Sequence, residues 1–172
     1  MPSQTFALSV LQHTPVWVWG VLALLIALGL RQSRPHDITP ARATLLPLGM
    51  LLLALAGVLG SFGSAGALLA WAAAALAVAV AGAGRAAPGA RWLPAEERFH
   101  QPGSWTPMAL MIAIFVTKFA VGVSIALHPA LARSTLFALC VGALYGLFSG
   151  AFAARALALH RLRGRSLQAQ PA

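Results

Sequence analysis

Lys118 is the one lysine of this 172-residue chain, and it lies inside the apolar run 108–127, where water should be absent. An ammonium at mid-bilayer costs roughly 2.5 to 3.5 kcal/mol on insertion scales, so such a group is read first as a site. A run 108–127 rising through the membrane and a run 135–154 returning would put Lys118 and Tyr145 at matching depth. Lys118 stands nine residues before Leu127 and Tyr145 ten after Thr135, each roughly 14 Å from the interface at about 1.5 Å per residue. Tyr145 is therefore the natural neighbour of Lys118, with Ser124, Thr117 and Ser149 as further hydroxyls. The three acids, Asp37, Glu96 and Glu97, all fall in loops. Three uses of Lys118 stay open: an anionic or protonatable ligand, an acid of another subunit, or simple tolerance. Tolerance is affordable, because ten Leu, Ile, Phe and Val residues surround it between 110 and 127, each favouring insertion by about 0.3 to 0.6 kcal/mol.

A second group is basic. Arg91, Arg98 and His100 sit in the longest loop, 85–106, and could together meet an anionic headgroup or partner at a membrane face. The plainer reading of that loop has Pro102-Gly103 as a turn and Trp92 and Trp105 as interfacial anchors. His13 and His128 both fall at the opposite interface, but neither has the spacing of a metal or haem site, and no metal ligands or cofactor are assigned. No GxSxG motif and no phosphate loop occur. Cys140, the only cysteine, lies in an apolar run and reads as a small hydrophobe.

These residues need a membrane frame. The chain is 59% hydrophobic and 9% charged, with a mean hydropathy of +0.80, against about 25% charged residues in soluble domains. Five apolar segments imply a single-domain, all-α polytopic bundle with spans at about 15–30, 45–62, 65–82, 107–127 and 135–154. Thr14 and Pro15 read as an N-cap with proline at the first helical position. Residues 3–12 either lie along the interface or extend that helix. Only Gly63 and Ser64 separate the second and third spans, which demands an antiparallel hairpin. His128-Pro129 stops the fourth.

Arginine placement orients the bundle. Arg31, Arg34, Arg42, Arg85, Arg91, Arg98, Arg155, Arg161, Arg163 and Arg165 fall on one side and Arg133 alone on the other. The positive-inside rule then puts the N-terminus outside and the C-terminus in the cytoplasm. The first span lacks a basic n-region and is expected to stay as an anchor. The arginines lie between apolar runs, not in a stripe with aromatics, which argues against nucleic acid and leaves the lipid bilayer as the partner.

Small residues mark packing faces. The third span, with Ala72 to Ala75 and Ala77, Ala79 and Ala81, is small all round and is expected to be central. In the fifth, Ala138, Gly142, Gly146, Gly150 and Ala154 recur every four residues and form one stripe. That stripe fits either a neighbouring span or a second copy of the chain.

The stretches Thr14-Pro15-Val16-Trp17-Val18-Trp19-Gly20 and Arg98-Phe99-His100-Gln101-Pro102-Gly103-Ser104-Trp105-Thr106-Pro107 resemble a family of small multi-span proteobacterial inner-membrane proteins with no assigned function. The resemblance implies an integral protein of a Gram-negative inner membrane and supplies no catalytic or binding residues. The expected role is a non-enzymatic membrane component, forming a homo-oligomer or packing with another membrane protein. The alternatives are a small transporter or permeation component using Lys118, and a haem- or quinone-linked redox protein.

Overall fold

A computed structural model describes residues 15–85 and 89–168. The expectations for residues 3–12, for His13 and for the side chain of Trp17 fall outside what is described. Among the described residues five α-helices form: α1 Val16–Gln32, α2 Pro40–Ser61, α3 Ala65–Gly82, α4 Thr106–Leu127 and α5 Thr135–Gln168. The last four are long and apolar enough to cross a membrane, whereas α1 is a shorter apolar helix. The molecule is therefore read as a multi-pass membrane protein.

Local chemistry sets most helix ends. α2 starts before the expected span because Thr39 accepts the amide of Arg42 and Pro40 fills the first helical turn. Ser64 caps α3 by accepting from the Ala67 amide at 3.3 Å. The hairpin between them turns at Gly63, whose φ of +56 suits a residue without Cβ. α1 begins one residue later than expected: Pro15 occupies the cap position and is not the first helical residue. α5 does not stop near residue 154. It runs on to Gln168, 34 residues in all, or about 51 Å at 1.5 Å per residue, well beyond a hydrocarbon core of about 30 Å.

The fold is not all-α. Three short strands, β1 His36–Ile38, β2 Arg91–Leu93 and β3 Arg98–Gln101, form an antiparallel sheet in the order β1-β3-β2. Alternation along them sends Phe99 and Gln101 inward and leaves Arg98 and His100 on the outer side. Trp92, Phe99 and Leu159 are buried with Ala43 in a small core beneath the sheet. The Trp92 and Phe99 rings lie 4.8 Å apart, and the Arg163 guanidinium lies 4.9 Å over Trp92. Trp92 is thus a core residue of this cap and not an interfacial anchor, while Trp105 is exposed. The extension of α5 exists because the cap gives Leu159 and Arg163 something to pack on.

The central helix is α5, not α3. α5 carries buried residues from Ala138 to Leu159, whereas α3 turns Leu69, Leu76 and Val80 outward. The closest helix pair is α3 with α5; α2 also packs on α5, and α1 packs on α4. Ala67, Ala74 and Ala75 of α3 meet α5, whereas Ala72, Ala73, Ala77 and Ala81 are exposed together with Leu69 and Leu76.

Candidate functional site

The glycines of α5 determine how near its polar residues come to α3. A Cβ on Gly142 would lie 2.5 Å from the Ala67 carbonyl oxygen, and one on Gly150 2.5 Å from that of Ala75. Gly146 meets the Trp71 carbonyl in the same way. Each glycine therefore aims an Hα at a main-chain carbonyl of α3, a contact that recurs at close helix interfaces. The stripe is thus used within the chain.

That approach carries Trp71 to Ser149. The indole N–H donates to the Ser149 hydroxyl at 3.2 Å, and Ser149 donates to the Tyr145 carbonyl at 2.9 Å. Tyr145 is buried, and Lys118 Nζ lies 4.9 Å from its ring centroid. An ammonium over an aromatic face is attracted by the ring quadrupole. The Lys118 amine also rests beside Gly57 of α2, where a Cβ would come within 2.6 Å of Nζ and 3.6 Å of the Tyr145 ring. Lys118, Tyr145 and Ser149 line a cavity of about 20 Å³ with Phe148 and Phe152, room for about one water. Ser124 does not join them. It lies six residues from Lys118, about 240° around α4, and its carbonyl instead accepts the His128 amide.

At the capped end the sheet separates two sets of basic groups. Arg91 is opposite His100 across β2 and β3, and Asp37 is opposite His100 across β1 and β3. His100 Nδ1 donates to Asp37 Oδ1 at 2.7 Å. Arg91, His100 and Arg98 share the outer side of the sheet, and none of them lines the large cavity beneath it.

That cavity, of about 650 Å³, is lined by Arg31 of α1, Arg42 of α2 and Arg155 of α5. The Arg155 guanidinium donates to Oε1 of the buried Gln101 at 2.5 Å. The wall turns apolar toward the bundle, with Leu28, Leu46 and Phe152. These arginines served only to orient the chain in the sequence. Their convergence depends on three helices far apart in sequence meeting at one cavity, which no local pattern announces. Among the described residues, no three His, Cys, Asp or Glu side chains gather as metal ligands.

Comparison with known proteins adds a family but no activity. A profile of a family of unknown function, DUF6622, matches residues 3–170. The uncharacterized protein PM0739 of Pasteurella multocida (strain Pm70) is 34% identical over 55 residues, which cover 32% of this chain and 43% of that relative. The match thus spans less than half the length of the relative. No solved structure matches.

Proposed function

The chain belongs to the family of unknown function DUF6622, and we propose that it is a non-enzymatic component of a bacterial inner membrane, assembling with itself or another membrane protein. The observation that carries this reading is the use made of its titratable side chains. His100 ties β3 to β1 through Asp37, His160 of α5 meets Thr44 of α2 at 2.9 Å, and the His36 ring bonds the Arg34 carbonyl. His100 and His160 are engaged in ties between elements and the His36 ring in a local backbone contact, and of these acid–base groups only His36 and Asp37 line the large cavity. Concentration of arginine at the capped end supports a cytoplasmic cap, with the N-terminus outside and the C-terminus inside.

Two reporter fusions at the C-terminus test the orientation: a fluorescent protein there should mature and an alkaline phosphatase should stay inactive. Light scattering of the protein purified in mild detergent tests assembly. The expected protein mass exceeds one chain, and a lone monomer would count against the assembly role.

A second reading, a small transporter or permeation component, is favoured by one feature. Phe152 lines both the arginine-rich cavity and the small chamber beside Lys118. A path from the capped end to mid-membrane would pass this ring. Phe152→Ala should open it, and unchanged proton and anion flux in proteoliposomes of the variant would remove this reading.

A further inference from the structure

We propose that the cavity beneath the sheet binds the phosphate headgroup of an anionic phospholipid, with the lipid chains leaving sideways into the bilayer. Charge makes the first part of the case. Arg31, Arg42 and Arg155 come from three helices onto one cavity, and Asp37 is the one acid lining it. Three cations and one carboxylate leave a formal excess of two positive charges, and Asp37 is already engaged by His100. Like charges gathered in a concave site call for an anion, and guanidinium forks match phosphate oxygens in pairs. Arg155 is held in place by the buried Gln101, so one fork is set before the ligand arrives.

Position makes the second part. Arg155 follows directly on the glycine stripe of α5, Arg31 lies in the last turn of α1 and Arg42 in the first turn of α2. All three therefore stand where apolar helix gives way to cap, the depth of a headgroup. Below them the wall is apolar, and its Leu28, Leu45 and Leu46 keep much of their surface exposed. The cavity is thus open on its apolar side toward lipid. At about 650 Å³ it falls within the roughly 300–1,000 Å³ range of small-molecule sites, enough for a headgroup and the first part of a chain. A free phosphate shares the headgroup chemistry but makes no use of the leucine wall.

The test uses the full chain purified in a neutral detergent. Retention of phosphatidylglycerol, phosphatidylcholine and inorganic phosphate is followed by native mass spectrometry, and thermal unfolding is recorded with each. Phosphatidylglycerol should be retained and should raise the unfolding midpoint; phosphatidylcholine should do neither, and inorganic phosphate should not displace the lipid at equal concentration. Arg31→Gln and Arg42→Gln should each weaken phosphatidylglycerol about tenfold, the scale of one charge-assisted hydrogen bond. Leu46→Trp, at an exposed position where folding should survive, should weaken the lipid and leave any phosphate binding unchanged. Arg91→Gln with Arg98→Gln, on the outer side of the sheet, is the control and should change affinity less than twofold. Equal retention of the two lipids, full competition by inorganic phosphate, or an equal loss in the control would each overturn the assignment.

Discussion

Gly142 of α5 lies so close to the Ala67 carbonyl of α3 that no Cβ fits between them. Gly142→Ala should therefore destabilise the protein by about 1 to 3 kcal/mol, the usual range for overpacking against atoms that cannot move aside. Gly122→Ala provides the contrast, because nothing lies within 4 Å of its added methyl. There the gain in helix propensity should leave stability unchanged or raise it by up to about 1 kcal/mol. Denaturant titrations in detergent measure both. Equal effects would mean that composition, and not the α3–α5 interface, places the glycines.

Lys118→Met isolates the mid-membrane amine. The contact with Tyr145 is worth about 0.5 to 2 kcal/mol, less than the roughly 2.5 to 3.5 kcal/mol that insertion of the ammonium costs. Methionine has a similar length and no charge, so, referred to the chain extracted from the membrane, the variant should be about 1 kcal/mol more stable. A loss of stability instead would reveal a stronger partner for the ammonium than the Tyr145 ring.

The ion pair of the cap should matter less than its core. His100 and Asp37 are 40% and 35% exposed, and pairs so open to solvent contribute about 0 to 1 kcal/mol. A double-mutant cycle on Asp37→Asn and His100→Gln should give a coupling in that range. A coupling of several kcal/mol would make the pair the main fastening of β1.

Phe99 is fully buried between Trp92 and His160. Phe99→Ala should cost about 3 to 5 kcal/mol, as aromatic truncations in cores do. Limited proteolysis should then cut at 91–101 before any helix, because this ring packs only on the capped ends of α2 and α5 and not on the interfaces deeper in the bundle. Cutting first within α3 or α5 would show that cap and bundle unfold as one.

Hydropathy made the helical segments legible, and Gly63-Ser64 announced the tight hairpin. The pairing of Lys118 with Tyr145 followed from helical rise alone, because both helices are unbroken between them and the turn that joins them. The sheet was hidden for two physical reasons. Its strands are three or four residues long, and β1 meets β3 from 63 residues away, at the pair Asp37 and His100. Missing the sheet also concealed why Trp92 is buried and why α5 continues past Ala154. α3 was expected at the centre because alanine permits close approach on every side; its leucines and Val80 restrict that approach to one face. The large cavity escaped notice because Arg31, Arg42 and Arg155, read along the chain, look like ordinary markers of orientation.

The register of three glycines against three carbonyls also governs how the molecule can move. α3 and α5 interlock like a toothed pair and should travel together, since sliding one past the other would drive Hα atoms into carbonyl oxygens. The contact between α1 and α4 is separate, made where Met108 fills the space beside Gly29. β1 follows α1 and β3 precedes α4, while β2 follows α3. The hydrogen bonds between β3 and β2, with the bond from Arg155 to Gln101, therefore stitch the two stiff halves together, and opening the gap bridged by Lys118 would strain that seam first.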